Sequence, residues 1–176
     1  PLTGRVLHVP FFDSKDPQST QHSLAALEAH LRRYPGQIAG MGFELVQGEG
    51  GFNTAPREFF VALMGRCREA GLAVWVDEVQ TFARTGELYA FRTLGLEELV
   101  DVVTVGKILQ GSATLVRKQY NPRPGLVAGT FAGNTVGMAL GARIIERLEA
   151  EGYLGPQGRI AELAQELEEA GHDSEI

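Results

Sequence analysis

Three apolar segments of the chain each end at residues that could do chemistry. Asp77 and Glu78 follow the segment 72–76, LAVWV, and Lys107 follows VVTVG at 102–106. The acidic stretch from Glu44 to Glu49 ends a third segment, IAGMGFELV at 38–46. Short, continuous apolar runs are typical of parallel sheets, whose ligands bind outside the carboxyl ends of the strands. The sequence therefore predicts that carboxylates and a lysine gather at one edge of a sheet.

Lys107 is an unusual choice of cation in this chain. Only three of the sixteen basic residues are lysines, and the other two are Lys15 and Lys118. Apolar residues flank Lys107, and burial disfavours the charged form of an amine and lowers its pKa. A neutral amine can attack a carbonyl carbon and form a Schiff base. The alternative is a lysine whose stem covers apolar surface while its ammonium group reaches water.

Asp77 is predicted to lie at the end of a buried strand, where an unpaired carboxylate would be unfavourable. A metal ion or a protonated ring nitrogen would pair with it, and a cap on the following turn is the alternative. An apolar strand that ends in Asp-Glu also resembles the Walker B strand of nucleotide hydrolases. That function needs a G-x-x-x-x-G-K-[ST] loop, and here Asp101 stands at the first glycine and Ile108 follows the lysine. The nucleotide interpretation is therefore excluded.

Two polar, glycine-containing loops are further candidates for ligand contacts. QGEGG at 47–51 carries Glu49, and GTFAGNT at 129–135 leads into a predicted helix, a setting that suits phosphate groups. The four histidines lack zinc-ligand spacing, so no metal site is expected. Cys67 is predicted to lie in the core.

The remaining elements are predicted from periodicity and from start and stop signals. Helices are expected at 24–34 with Ser23 as cap, at 56–70 with Thr54 as cap, near 88–95, at 135–150 with Asn134 as cap, and at 157–170. The segment 112–128 is expected to be loop and strand edge. Strands alternating with helices predict an α/β fold with a mainly parallel sheet and helices on both faces.

Composition restricts the class of protein. The chain has 176 residues, 44% of them apolar, and its net charge of −6 argues against a nucleic-acid or membrane-surface binder. No apolar run approaches the length of a membrane span, roughly 18 residues. A single cysteine fits a reducing compartment. We expect a cytoplasmic protein.

Four segments in chain order resemble motifs of the class III pyridoxal-phosphate-dependent aminotransferases, which have fold type I. They are ELVQGEGG at 44–51, DEVQTFARTG at 77–86, VVTVGK at 102–107 and GTFAGNT at 129–135. The resemblance covers roughly residues 5–155. It is greatest to the ω-amino-acid branch, which handles ornithine, acetylornithine and 4-aminobutyrate.

The resemblance implies a role for each matched residue. Lys107 would hold pyridoxal 5′-phosphate as a Schiff base and move the substrate proton, and Asp77 would pair with the ring nitrogen. Val79 would pack on one face of the ring, and Gln80 would lie near its hydroxyl group. Thr130 would contact the cofactor phosphate of the other subunit of a homodimer. Glu49 would bind substrate by gating an arginine, and Glu44 would organise the strand end.

The resemblance also implies an activity, which is ping-pong transfer of an amino group between an amino acid and a 2-oxo acid. An aminomutase of the same family, or a non-catalytic remnant that folds and dimerises, remains an alternative. The family is usually more than twice as long, so the chain is expected to be incomplete. Residues 1–155 would form part of the cofactor-binding large domain. Residues 156–176 would be a C-terminal helix and tail. They would be either the start of a missing small domain or a place where separate stretches of the sequence are joined.

Overall fold

The structure is a computed structural model that describes residues 6–127, 129 and 132–173. Its helices are α1 (Ser19–Arg33), α2 (Arg57–Glu69), α3 (Ala90–Thr93), α4 (Thr135–Ala150) and α5 (Arg159–Asp173). Its strands are β1 (Gly40–Glu44), β2 (Val46–Gln47), β3 (Asn53–Thr54), β4 (Ala73–Asp77), β5 (Val102–Val105) and β6 (Ala113–Val116).

The central sheet has four strands in the order β1-β4-β5-β6. The first three are parallel, and β6 pairs antiparallel with β5. This arrangement confirms the predicted α/β fold with a mainly parallel sheet. Glu44, Asp77 and Thr104 are in register, so the three parallel strands reach the same edge at one level.

One face of the sheet packs against the helices and forms the core. Phe43, Val74, Val76, Val103 and Val105 are buried, as are Phe59, Phe60, Leu63 and Met64 of α2. Helix α2 contacts both β4 and α1. Cys67 is fully buried in this layer, which confirms the prediction that it belongs to the core.

The opposite face of the sheet is more open. Trp75 is 41% exposed, and its indole ring lies close enough to Gly42 that a Cβ atom there would be 2.8 Å from Trp75 Cε3. The indole Nε1 donates a hydrogen bond to Thr104 Oγ1 at 3.1 Å. Trp75 therefore lies across neighbouring strands. Asp77, two residues later, projects from the same face because side chains alternate along a strand.

Most predicted helices are present, and the cap of α4 is confirmed. Asn134 Oδ1 accepts hydrogen bonds from Val136 N at 3.1 Å and from Gly137 N at 3.4 Å. The prediction for Ser23 is wrong, because α1 begins four residues earlier, at Ser19. Ser23 Oγ instead donates to Pro10 O at 2.8 Å and to Ser19 O at 3.0 Å, a bond to the preceding helical turn.

The segment between β1 and α2 also differs from the prediction. Residues 47–54, expected to be loop, contain most of an antiparallel hairpin in which Val46 pairs with Thr54 and Gln47 with Asn53. Thr54 is therefore a strand residue, and α2 follows Pro56 without a side-chain cap. The hairpin is stabilised by Asn53 Nδ2, which donates to Gln47 Oε1 at 3.1 Å and to Gly50 O at 2.8 Å.

The segment 112–128, expected to be loop and strand edge, begins with β6, which forms an edge of the sheet. Arg117 fixes the end of this strand, since its Nε donates to Val100 O at 2.8 Å and its Nη2 to Glu97 O at 2.9 Å. Within the residues that the structure describes, no helix is long and apolar enough to cross a bilayer. The division of the chain near residue 155 stays a prediction.

Candidate active site

Three loops meet at the carboxyl edge of the parallel strands, as the sequence predicts. They are the hairpin after β1, the turn that begins at Asp77 and the turn at Gly106 and Lys107. Two contacts join them. A Cβ atom at Gly106 would lie 3.6 Å from Val79 Cγ1, and a Cβ atom at Gly48 would lie 2.8 Å from Gln80 Nε2. The turn after Asp77 therefore lies between the other two loops.

Asp77 is the half-buried last residue of β4. Its Oδ1 accepts a hydrogen bond from Val79 N at 2.9 Å. Its Oδ2 has no hydrogen-bond partner among the described residues. The carboxylate thus caps the following turn, as one of the sequence interpretations expects, and keeps one oxygen available for a cation or a protonated nitrogen.

Lys107 begins a 3-10 turn, Lys107–Leu109, with a left-handed backbone at φ 50°. Its side chain is exposed, so the expected apolar surrounding is absent in the part of the chain described here. The reason is that its apolar neighbour Leu109 turns away and is buried. Leu109 lies against α4, with its carbonyl oxygen 3.2 Å from the position of a Cβ atom at Gly141. The Lys107 amine has neither an ion pair nor a hydrogen bond to any described residue.

Glu78 is not part of the site, although the sequence directs the Asp77-Glu78 pair to the same edge. Its side chain is fully buried. One carboxylate oxygen accepts from Phe91 N at 3.0 Å and the other from Thr81 Oγ1. Strand alternation explains this position, because residue 78 faces away from residue 77. Sequence reasoning missed the role of Glu78 as an anchor of this turn, and that alternation was the available signal.

Gln80 and Arg84 form the outer wall of the same turn. Arg84 Nη1 donates to Gln80 Oε1 at 2.9 Å and to Gln80 O at 3.0 Å. Sequence reasoning did not select Arg84. The available signals were its place in the second motif, DEVQTFARTG, and its spacing of four residues from Gln80.

The hairpin after β1 carries the two glutamates of the first motif. Glu44 Oε2 accepts from Gly48 N at 3.1 Å, which folds the loop back over the strand end. Glu49 is exposed at the loop and has no ion pair or side-chain hydrogen bond with any residue in the described ranges. The structure thus brings Glu44 and Gly48 to the site edge and leaves Glu49 open to solvent.

The fourth motif leads into α4 beside the Lys107 turn. A Cβ atom at Gly137, in the first turn of α4, would lie 3.4 Å from Gln110 O. Thr130, the predicted phosphate contact, lies outside the described residues.

The residues present fit the pyridine ring and the aldehyde group of pyridoxal 5′-phosphate. Lys107 offers an exposed amine, Asp77 offers a free carboxylate oxygen, and Val79 offers an apolar surface against Gly106. Gln80 offers an amide beside Gly48. A charged, aromatic aldehyde requires groups of these four kinds, which are an amine, an anion, an apolar contact and a polar amide.

Comparison with known proteins identifies the relatives of the chain. A model of the family described as aminotransferase class-III matches residues 1–176. The chain is 37% identical over 135 residues to an acetylornithine aminotransferase of Streptococcus mutans, covering 73% of this chain and 35% of that protein. It is 38% identical over 168 residues to the acetylornithine aminotransferase of Rhodobacter capsulatus, covering 92% of this chain and 39% of that protein.

The fold agrees with the same relationship. The structure superposes on a lysine aminotransferase of M. tuberculosis with a TM-score of 0.71 and 29% identity, over 83% of this chain and 35% of that one. The chain therefore spans about a third of the length of the relatives that it matches.

Proposed function

The chain belongs to the class-III aminotransferase family, and we propose that it forms the cofactor-binding part of a pyridoxal-phosphate-dependent aminotransferase. The observation that carries this proposal is the meeting of Asp77 and Lys107 at one sheet edge, with Val79 packed against Gly106. Each of these residues stands in a motif that matches the family.

Lys107 is the proposed attachment point of the cofactor and the base of the site. Its amine is free of protein partners among the described residues, so nothing there competes for Nζ. In transamination Nζ would take the proton from the substrate carbon and deliver it to the cofactor. The left-handed backbone of Lys107 is an uncommon conformation for a residue with a side chain, and functional sites often contain such positions.

Asp77 is the proposed partner of the pyridine nitrogen. When bound, pyridoxal 5′-phosphate supplies an electron sink, and a protonated ring nitrogen strengthens that sink. The free Oδ2 of Asp77 would keep that proton in place, because an adjacent carboxylate favours the charged form of a base. The hydrogen bond from Val79 N orients the carboxylate.

Val79 would pack on the ring, and Gln80 would contact its oxygen substituent. We further propose that Thr130 binds the cofactor phosphate across a homodimer, and that Glu49 acts in substrate binding. The proposed substrates are an amino acid of the ω-amino or basic class and a 2-oxo acid. The acidic net charge and the single cysteine support a cytoplasmic enzyme that binds neither nucleic acid nor membranes.

The proposal is tested by the half-reaction of the purified protein. Protein, pyridoxal 5′-phosphate and an amine donor such as ornithine or acetylornithine are mixed, and pyridoxamine 5′-phosphate is quantified. The variant Asp77→Asn retains the oxygen that accepts from Val79 N but loses the charge. We expect it to fold normally and to lose at least about a hundredfold in rate, because one preorganised charge contact at a reacting group contributes several kcal/mol. Lys118→Ala is the matched control. Equal rates for wild type and Asp77→Asn would contradict the proposal.

A further inference from the structure

The amide of Gln80 has a fixed orientation, because the guanidinium group of Arg84 carries only donors. Arg84 Nη1 lies 2.9 Å from one terminal atom of the Gln80 amide. That atom must be the oxygen, since a guanidinium group cannot accept a hydrogen bond. The NH2 group of Gln80 therefore points to the other side.

The side to which the NH2 group points is the carboxyl edge of the parallel strands, where the three loops of the candidate site meet. A Cβ atom at Gly48 would lie 2.8 Å from Gln80 Nε2 and 2.9 Å from Gln80 Cγ, so Gly48 lies on the nitrogen side of the amide. Nε2 has no hydrogen-bond partner among the described residues, although the amide oxygen is satisfied. Gln80 is thus a donor directed at the loop junction, and the positive charge of Arg84 on its oxygen polarises the N–H bonds further.

Backbone hydrogen bonds fix the part of the turn that carries Arg84. Arg84 N donates to Thr81 O at 2.9 Å, and Ala83 N donates to Leu88 O at 2.9 Å. Phe82 and Ala83, the two preceding residues, are buried. The turn therefore presents the guanidinium group to Gln80 from a rigid base, and Arg84 Nη1 also donates to Gln80 O at 3.0 Å.

We propose that Arg84 is a positioning residue that locks Gln80 as a hydrogen-bond donor to the ring oxygen of bound pyridoxal 5′-phosphate. This inference rests on the proposed function and deepens it, because it states which atom of Gln80 acts and why. Without Arg84 the amide can rotate, and either its oxygen or its nitrogen can face the ligand. An amide oxygen facing an anionic ring oxygen is repulsive.

The test compares two ligands and four proteins. The ligands are pyridoxal 5′-phosphate and its 3-deoxy analogue, which lacks the ring hydroxyl group. The proteins are wild type, Arg84→Ala, Arg84→Lys and the control Arg92→Ala, which removes a nearby exposed arginine that has no side-chain hydrogen bond in the described structure. Dissociation constants are measured by absorbance titration, and far-ultraviolet circular dichroism checks the fold.

We expect Arg84→Ala to bind pyridoxal 5′-phosphate about three- to tenfold more weakly, because the ligand must then order the Gln80 amide itself, and about tenfold is the effect of losing the whole hydrogen bond to a charged acceptor. For the 3-deoxy analogue, Arg84→Ala and wild type should agree within about twofold. Arg84→Lys, which keeps a cationic donor, should recover most of the affinity. Arg92→Ala should bind both ligands like wild type.

A second pair of variants separates positioning from general stabilisation. In a Gln80→Ala background the further change Arg84→Ala should have no effect on affinity, because Arg84 acts only through Gln80. An equal loss of affinity for both ligands, or an undiminished effect of Arg84→Ala without Gln80, would overturn the inference while leaving the proposed function intact. Absence of cofactor binding by wild type would overturn the proposed function, and this inference with it.

Discussion

Glu78 accepts a hydrogen bond from Phe91 N at 3.0 Å and so joins the turn after β4 to the start of α3, thirteen positions along the chain. The carboxylate is fully buried, and its second oxygen accepts from Thr81 Oγ1. Asp77 and Val79, the residues on either side, lie at the candidate site. Glu78 lies on the core side of this turn and therefore holds it in place. The same turn presents Asp77, Val79 and Gln80 to the site.

Removing this carboxylate should destabilise the fold. We expect Glu78→Ala to lower the free energy of unfolding by about 2–4 kcal/mol, because it leaves the buried Thr81 hydroxyl and the half-buried Phe91 N–H without acceptors. Glu78→Gln, which keeps one acceptor oxygen, should lose less than Glu78→Ala. The control Glu98→Ala removes an exposed carboxylate and should change stability by less than about 0.5 kcal/mol. Urea unfolding measures all three, and equal stability of Glu78→Ala and Glu98→Ala would contradict the anchor role.

The contact between Gly48 and Gln80 predicts a variant that affects the ligand more than the fold. In Gly48→Ala the new methyl group would lie 2.8 Å from Gln80 Nε2 and 2.9 Å from Gln80 Cγ, so the whole side chain of Gln80 must move. We expect a loss of stability of about 1 kcal/mol, at the lower end of the cost of overpacking. Affinity for pyridoxal 5′-phosphate should fall as far as in Gln80→Ala. Titration of Gly48→Ala beside Gln80→Ala checks this, and wild-type affinity in Gly48→Ala would show that the amide position is unimportant.

Two glycines outside the site should change the stability of the fold in opposite directions when each is replaced by alanine. A Cβ atom at Gly40 would lie 2.7 Å from Ala73 O, which is rigid backbone of the neighbouring strand. Gly40→Ala should therefore cost about 1–3 kcal/mol. Gly65 lies inside α2 with open space around the same position. Gly65→Ala should increase stability by about 0.5–1 kcal/mol, because alanine favours the helix. Thermal unfolding of both variants is the measurement, and a shift of the same sign in both would refute the packing argument.

The buried thiol predicts a loss of stability at alkaline pH. Burial raises the pKa of Cys67 from 9.0 to about 11. Above pH 9 the unfolded chain releases a proton that the folded chain retains, so the free energy of unfolding falls as pH rises from about 9 to about 11. This contribution amounts to roughly 2 kcal/mol across that interval.

Cys67→Ala is the control for this effect, because it removes the titrating group and leaves the other alkaline groups unchanged. Urea unfolding at about pH 8 and about pH 10.5 should show a steeper decline in wild type than in Cys67→Ala. Parallel declines would contradict a neutral, buried thiol.

The sequence predicts the arrangement of the sheet well, because the strands that present the site are short apolar runs with chemistry at their ends. The four residues of β5 and the Asn134 cap of α4 are found as expected. These features depend on local patterns, in which apolar runs set the strands and a polar side chain meets the first free N–H groups of a helix.

The side-chain partners could not be predicted in the same way. Glu78 bonds to a residue thirteen positions away, and Ser23 bonds to Pro10 across a similar separation. The exposure of Lys107 depends on which elements cover its turn, and Leu109, two residues later, packs against α4 instead. These outcomes depend on tertiary contacts, which a local pattern does not contain.

The identity of the reactive lysine is the central claim, and reductive labelling tests it most directly. The purified protein is incubated with pyridoxal 5′-phosphate, reduced with borohydride, digested and analysed by peptide mass spectrometry. The account predicts a pyridoxyl group on Lys107, unmodified Lys15 and Lys118, and no selective label in Lys107→Ala. Equal labelling of all three lysines, or a label that persists in Lys107→Ala, would contradict it.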